Sequence, residues 1–249
     1  MSMLPVRDAQ NRIEGGDQRY MAIQGVQRSD GSVLVLLGDS KGQLHLFSLA
    51  LDRLQPVCVF SAEVHATPIL CVDFCEADGQ LFGFAGTAAG DLLVFRVDSL
   101  RNSLRNSLRN SDEAIHVIKT VHSMGINDLS VSRRGSQVVC VSVGDDQSLR
   151  LCKFAVEGND LVLLDKVSYM GVSGTSIRSC CWKESGVYFV GWEQNVEKRV
   201  WVNEGLVKSG WAEVQVPETS CLDLLEEGTM SGFGAVCGAM GVEVFEYSI

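Results

Sequence analysis

The side chains that titrate nearest neutral pH are four histidines: His45, His65, His116 and His122. Histidines can act as general acids, general bases or metal ligands. None of the four lies in the HExxH spacing of a zinc protease or the HxE…CxxC spacing of a zinc deaminase. The sequence also has no P-loop, GxGxxG or GxSxG motif. We therefore predict no catalytic residue, no cofactor-binding residue and no metal ligand.

Nine cysteines form a second group of potentially reactive side chains. Their number is odd, they are scattered through apolar runs, and no CxxC pair occurs. A small secreted disulfide framework would have an even set, and a zinc site would have paired spacings. The pattern predicts buried, reduced thiols that pack as small apolar residues, which indicates the cytosol or nucleus.

The composition limits the possible partners. The 249 residues have 46% hydrophobic content, which is typical of a globular chain. Acidic residues outnumber basic ones by 31 to 21, for a formal net charge of −10. Such a surface repels phosphate backbones, so RNA would have to be held by a basic partner. We identify no signal peptide and no apolar run long enough to cross a membrane, and we expect a cytoplasmic protein.

A repeat of β-strands organises the chain. Five segments end in an alternating strand that has an aromatic or apolar residue at one fixed position: Phe47, Phe95, Cys152, Trp201 and Phe245. Their spacings are 48, 57, 49 and 44 residues. A four-stranded WD-repeat blade takes roughly 40–45 residues. The period and the small residues in the middle strands predict an all-β, WD40-type β-propeller with five recognisable four-stranded blades.

The predicted segments are residues 1–19 as a linker and blades at approximately 20–61, 62–121, 122–168, 169–216 and 217–249. The SLRN triplet at 99–110 explains the long 57-residue spacing, because subtracting its twelve residues leaves 45. We interpret this insert as a surface loop; the alternative is an amphipathic helix formed around Leu100, Leu104 and Leu108. In the fourth blade, the pattern predicts a third strand at 197–204 and an outer strand at 211–216.

The last blade ends after its third predicted strand, and residues 1–19 are too polar to supply a fourth. We therefore expect an incomplete ring from a larger multi-propeller protein. Sheet faces at the ends of the array would then be exposed.

Three aspartates, Asp73, Asp128 and Asp223, recur near the ends of the predicted inner strands. Some propeller hydrolases hold a metal in the central channel with carboxylates from several blades. A metal-dependent hydrolase is therefore a remote alternative. Carboxylates without a motif are abundant in an acidic chain, and turn capping explains them equally well.

The segment VHSMGINDLSVSRRGSQVVCVSVGDDQSLRLCKF (121–154) resembles a WD repeat. His122 matches the histidine of that family's GH pair, and Asp146 matches its turn aspartate. The resemblance implies a buried, structural hydrogen-bond network in which the carboxylate fixes the imidazole. His65, in VHATPILCVDF, has the histidine position one blade earlier.

The repeats also depart from the family pattern. Lys41 and Ala89 stand where the turn aspartate is expected, Cys152 replaces the usual tryptophan, and the last two blades lack the histidine.

Several short motifs resemble the WD repeat-containing protein 6 family: HATPIL, HSMGIND followed by VGDDQSL, and the terminal GAVCGAMGVEVFEYS. Members of that family are adaptors for an FtsJ-type RNA methyltransferase, which methylates the 2′-oxygen of the anticodon wobble nucleotide in certain tRNAs. The resemblance implies a non-catalytic subunit that helps position tRNA. The alternative is a general WD40 adaptor, such as a ubiquitin-ligase substrate receptor or a trafficking scaffold. The sequence does not identify the partner-binding residues.

Overall fold

A computed structural model describes residues 18–28, 31–50, 55–98, 115–184, 186–227, 231–238 and 241–248. The predicted insert 99–110 and most of the predicted linker 1–19 lie outside these ranges. The first blade consists of β1 (Tyr20–Gln27), β2 (Val33–Asp39), β3 (Gln43–Ala50) and β4 (Gln55–Glu63). The second consists of β5 (Ile69–Ala77), β6 (Gln80–Thr87), β7 (Leu92–Arg96) and β8 (Ile115–Ile118).

The third blade consists of β9 (Ile126–Arg134), β10 (Gln137–Gly144), β11 (Leu149–Glu157) and β12 (Asp160–Tyr169). The fourth consists of β13 (Ile177–Lys183), β14 (Gly186–Gly191), β15 (Asn195–Val202) and β16 (Gly205–Glu213). The described part of the fifth blade consists of β17 (Cys221–Glu227), β18 (Ser231–Gly238) and β19 (Gly241–Ser248). Every sheet pairs its strands in chain order and antiparallel, so each blade is a meander. The chain is a five-bladed β-propeller, as the repeat predicts.

Each blade has two faces, and the alternation of side chains along its strands determines which residues lie on each. We call the face toward the next blade in the sequence the forward face and the opposite one the back face. Apolar clusters fill the four junctions between consecutive blades. The first junction, for example, packs Leu36 and Leu46 of the first blade against Ala85 and Phe95 of the second.

The fourth blade differs from its prediction. β15 ends at Val202 and β16 begins at Gly205. The predicted third strand (197–204) and outer strand (211–216) were therefore placed too far toward the carboxyl terminus. Asn203 and Glu204 both have positive φ, 47° and 62°. Two consecutive residues with positive φ form the tight turn that fits the twist of a hairpin, so the strand reverses earlier than the sequence pattern indicates.

Buried thiols line two junctions. Cys71 and Cys140 contribute to the cluster between the second and third blades, and Cys180 contributes to the next one. All three are at most 5% exposed. Burial raises the pKa of each thiol well above its usual value. No disulfide forms among the described cysteines, while Cys58 and Cys221 are exposed.

Candidate functional site

The third blade brings His122 and Asp146 together. His122 Nδ1 lies 2.8 Å from Asp146 Oδ1, and His122 Nε2 lies 2.9 Å from Ser142 Oγ. His122 is 1% exposed, and burial lowers its pKa against the opposing influence of Asp146. Burial raises the pKa of Asp146, but hydrogen bonds from Ser148 and His122 outweigh it and hold that pKa well below its usual value. The pair is therefore a neutral imidazole that donates from Nδ1 to an ionised carboxylate.

Arg150 and Ser148 complete this network. Ser148 Oγ donates to Asp146 Oδ1 at 2.6 Å, and Arg150 Nη2 lies 3.3 Å from Asp146 Oδ2. The network connects the loop before β9 to the turn after β10. Ser142 is a member that the sequence pattern did not identify, and its place near the end of the predicted middle strand is the only sequence signal for it.

In the second blade, His65 binds a carboxylate that does not lie at the turn position of the WD pattern. Its Nε2 lies 3.1 Å from Asp91 Oδ2, and its Nδ1 lies 2.9 Å from Thr67 Oγ1. Asp91 also accepts hydrogen bonds from Lys119 Nζ and from the Thr120 N–H, both at 2.8 Å. Burial raises the pKa of Asp91, but these donors together lower it below its usual value. When the repeats of this chain are compared, Ala89 has the turn position, and Asp91, two residues later, supplies the negative charge.

The first blade has a third network, which we did not predict. His45 Nε2 lies 3.0 Å from Asp39 Oδ2, and its Nδ1 lies 2.8 Å from Ser61 Oγ. Asp39 Oδ1 accepts the N–H groups of Lys41 and Gln43, both at 2.8 Å. His45 is in β3 rather than at the position of the GH histidine, so family spacing could not identify it. The aspartate that caps its own following turn is the available sequence signal.

Two glycines allow these loops to approach their turns. Gly42 and Gly90 have φ of +74° and +81°. A Cβ on Gly42 would lie 1.9 Å from the His65 carbonyl oxygen, and one on Gly90 would lie 2.3 Å from that of His122. The carbonyl groups of the same glycines accept the N–H groups of His65 and His122 at 3.2 and 3.0 Å. Only glycine fits there, and it fixes the backbone of each histidine.

The aspartates of the metal-hydrolase alternative bind separate partners. Asp73 Oδ2 accepts the Val131 N–H at 2.8 Å, and Asp128 Oδ2 accepts the Ser179 hydroxyl and the Cys180 N–H at 2.7 and 2.9 Å. Burial raises the pKa of Asp128 to about 6. Asp223 is 90% exposed. Within the described ranges, no three His, Cys, Asp or Glu side chains are placed to hold a metal ion.

An open cavity lies at the mouth of the central channel. A space of about 530 Å³ is lined by residues from four blades: Leu70, Asn127, Arg178, Trp192, Glu218, Ser220 and Gly238. Trp192 is 50% exposed, and the Arg178 guanidinium lies 4.7 Å from the centre of its ring. Asp145 orients Arg178 at 3.4 Å and accepts a hydrogen bond from Asn127 at 2.8 Å. Burial raises the pKa of Asp145, but Asn127, Ser176 and Arg178 lower it below its usual value.

No protein-family model matches the chain, and a search of curated proteins finds no similar sequence. In the described part of the chain, no helix has the length and apolarity needed to span a bilayer. The candidate site is therefore described by its geometry alone. Internal His–Asp networks hold the loops between blades, and aromatic and polar side chains surround the mouth of the channel.

Proposed function

We propose that this protein is a non-catalytic WD-type scaffold that helps position tRNA for 2′-O-methylation of the anticodon wobble nucleotide. An FtsJ-type RNA methyltransferase would be its protein partner and would supply the catalytic residues. The propeller fold supports the scaffold role. The segments HSMGIND, VGDDQSL and GAVCGAMGVEVFEYS support the choice of partner, through their similarity to the WD repeat-containing protein 6 family.

The observation that carries the scaffold role is the Trp192–Arg178 pair at the channel mouth. Half of the Trp192 surface is open to solvent, although its ring is already fixed by the guanidinium 4.7 Å away. Tryptophan and arginine are enriched among the residues that dominate protein–protein binding energies. A preorganised aromatic side chain loses little conformational entropy when a partner covers it. We therefore place the partner-binding surface at this mouth.

The polar groups are consistent with a structural rather than a catalytic role. His45, His65 and His122 each bind an aspartate and a hydroxyl group, so both ring nitrogens are engaged. The net charge of −10 disfavours direct binding of RNA by this chain. We expect the tRNA to contact basic surfaces of the methyltransferase while the propeller orients that subunit.

The first experiment is an affinity purification of the full-length tagged protein from its own cells, with the bound proteins identified by mass spectrometry. We expect an FtsJ-type methyltransferase in stoichiometric amounts. Trp192→Ala should abolish its recovery, whereas Trp211→Ala should leave it unchanged. Trp211 is a matched control because it is 64% exposed and lies on β16, away from the channel mouth.

The purified pair then tests the reaction itself. Transfer of a labelled methyl group from S-adenosylmethionine to the wobble ribose of tRNA should require both proteins. Recovery of ligase or coat subunits instead would remove the tRNA assignment and leave a general scaffold. Hydrolase activity that depends on a metal retained by the propeller alone would contradict the non-catalytic role.

A further inference from the structure

A second cavity, of about 280 Å³, opens on the back face of the fourth blade. Its inner wall includes Phe189, which packs in the junction with the third blade. It shares no lining residue with the cavity at the channel mouth. Trp211, which also lines it, is 64% exposed, so the cavity is accessible from solvent. The third blade shows what occupies the same place in another repeat.

The turn beside the cavity is equivalent to the turn that carries Asp146. Gln147 and Gln194 both have positive φ, 58° and 59°, and each lies three residues after the glycine that ends its middle strand. Asp146 and Glu193 immediately precede these two glutamines. The fourth blade therefore retains a turn carboxylate, that of Glu193, and this carboxylate lines the cavity.

The imidazole that binds the turn carboxylate of the third blade has no equivalent in the fourth. In the third blade, His122 extends from the loop before β9 to Asp146 and Ser142. The fourth blade has Ser173 at the position of this histidine and Phe189 at the position of this serine. A serine side chain is too short to extend from the loop to the strands, so the cavity opens in the place of the imidazole.

Glu193 has a weaker hydrogen-bond donor than its equivalent in the third blade. Ser173 Oγ lies 3.4 Å from Glu193 Oε2, whereas His122 Nδ1 lies 2.8 Å from Asp146 Oδ1. The Ser173 hydroxyl also accepts the Thr175 N–H at 3.2 Å. Because Glu193 is exposed and this bond is long, its carboxylate can accept a further N–H group from a ligand.

Lys208 supplies a hydrogen-bond donor to the same cavity. Its Nζ lies 2.6 Å from Glu197 Oε2, and Arg199 Nε lies 2.8 Å from Glu197 Oε1. An ammonium group has several N–H bonds, so Lys208 can also donate to a ligand. The two cations balance the carboxylates of Glu193 and Glu197. A neutral ligand that both donates and accepts a hydrogen bond therefore fits these charges better than a cation or an anion does.

Two aromatic rings favour a flat ligand. Strand pairing aligns Phe189, Glu197 and Trp211 in one row across β14, β15 and β16, so both rings lie on the same face as the Glu197 carboxylate. A flat ring packs favourably against aromatic side chains. Among protein side chains, only the neutral imidazole combines a flat ring with one ring N–H donor and one ring nitrogen acceptor.

We propose that this cavity binds the neutral imidazole of a histidine from a partner protein. One ring nitrogen donates to Glu193, the other accepts a hydrogen bond from Lys208, and the ring packs against Phe189 and Trp211. The partner's histidine thus takes the place that His122 has within the third blade. Since the site shares no residue with the channel mouth, it does not depend on the methyltransferase partnership.

Fluorine NMR of the full chain tests this, with 5-fluorotryptophan in place of its four tryptophans. Trp211→Phe and Trp192→Phe identify two of the signals, and that of Trp192 reports on the channel mouth as an internal control. At pH 8.5, 4-methylimidazole should shift the Trp211 signal saturably, with half-saturation at about 1–10 mM for so small a ligand. Its isomer 1-methylimidazole should bind at least about tenfold more weakly, because it has no N–H to donate to Glu193.

Two tripeptides with blocked ends, Gly-His-Gly and Gly-Arg-Gly, test whether the ring can come from a protein. The histidine peptide should shift the Trp211 signal at pH 8.5. It should bind at least about tenfold more weakly at pH 5, where its ring is protonated and Lys208 repels it. The arginine peptide should leave the signal unchanged, because its guanidinium is always charged and offers no acceptor to Lys208.

Glu193→Gln should weaken the binding of 4-methylimidazole about tenfold, because the ionised acceptor is lost. Glu157→Gln is the matched control, since Glu157 is an exposed carboxylate at the end of β11, outside the cavity, and this variant should bind like the wild type. Both positions are exposed, so neither change should move the melting temperature by more than about 1–2 °C.

Four results would overturn the proposal. The first is the absence of a saturable shift of the Trp211 signal with 4-methylimidazole or with the histidine peptide. The second is equal binding of the two methylimidazole isomers. The third is tighter binding of the arginine peptide than of the histidine peptide, and the fourth is an unchanged affinity in Glu193→Gln.

Discussion

The third and fourth blades have the same strand order and a shared register but different polar interiors. In the third, His122 connects Asp146 to Ser142. In the fourth, Ser173 has the position of His122, and Phe189, 3% exposed, has the position of Ser142. The fourth blade folds to the same meander without the histidine. Apolar packing at the junctions therefore determines the blade, and the network adds stability to one loop.

The fourth blade has its charged groups elsewhere. Glu197, 7% exposed, lies 2.8 Å from Arg199 Nε and 2.6 Å from Lys208 Nζ. These residues belong to β15 and β16, so they connect strands within one sheet instead of fixing the loop before β13. The charged cluster of the fourth blade thus makes polar contacts within the sheet, but it does not hold the loop that precedes the first strand of the blade. The loop before β13 should be the easier of the two to open.

The largest difference in stability between the two blades is expected for alanine substitutions on their forward faces. Leu151 of the third blade is fully buried, whereas Lys198 has the same position in the fourth and lies 5.4 Å from the Tyr188 ring. Leu151→Ala should lower the free energy of unfolding by about 2–5 kcal/mol because it leaves a cavity. Lys198→Ala should cost less than about 1 kcal/mol. Urea unfolding of both variants measures the difference, and equal losses would contradict the dominance of apolar packing.

The junction between these blades should also depend on pH. The folded pKa of Asp128 is about 6, above the value near 3.9 of an unfolded aspartate. The folded protein therefore binds an extra proton between those values, and its stability falls as pH rises through 6. Between pH 4.5 and 7.5, the wild type should lose about 2 kcal/mol relative to Asp128→Asn. Urea unfolding of both proteins across this range tests it, and parallel curves would be inconsistent with the raised pKa.

Removal of the third-blade imidazole should have a comparable or smaller effect. His122→Ala leaves Asp146 and Ser142 without a shared partner in a buried site, at a cost of roughly 1–3 kcal/mol. Ser173→Ala, the same position in the fourth blade, should change stability by less than about 0.5 kcal/mol. Thermal denaturation compares the two. An unchanged melting temperature for His122→Ala would show that the network contributes nothing.

The smallest effect is expected when the histidine is introduced into the fourth blade. Ser173→His should change the free energy of unfolding by no more than about 0.5 kcal/mol, because Phe189 offers no hydroxyl group to Nε2. The double variant Ser173→His with Phe189→Ser tests whether both partners are needed. Greater stability in the single variant would mean that the imidazole alone is sufficient.

The repeat period predicts the fold because each blade repeats apolar alternation and turn residues over a similar length. The site is only partly predictable. The spacing of the WD pattern identifies His122 and Asp146, which the structure places 2.8 Å apart. The pattern does not identify the carboxylate that His65 contacts, because Asp91 reaches the imidazole from a position two residues after the expected turn aspartate. A side chain's direction from its turn, rather than its sequence position, decides which atoms meet.

The networks around His45 and the Trp192–Arg178 pair were not predictable for a similar reason. His45 pairs with Asp39 across a hairpin. Trp192 meets Arg178 only because β13 begins, and β14 ends, at the same side of the sheet. The displaced β15–β16 hairpin follows from positive φ at Asn203 and Glu204. Asparagine adopts that conformation more readily than most residues, but glutamate rarely does, so the sequence does not indicate this turn.

The thiols buried between blades can be used to measure how often neighbouring blades separate. Cys71 and Cys140 lie at one junction and Cys180 at the next, all shielded from solvent. A maleimide reaches them only during the moments when the neighbouring blades separate, so each labelling rate reports the population of one opened junction. Cys58 and Cys221, already exposed, set the rate of the unhindered reaction. Mass spectrometry of labelled peptides would therefore rank the junctions between blades by how readily each one opens, without denaturant.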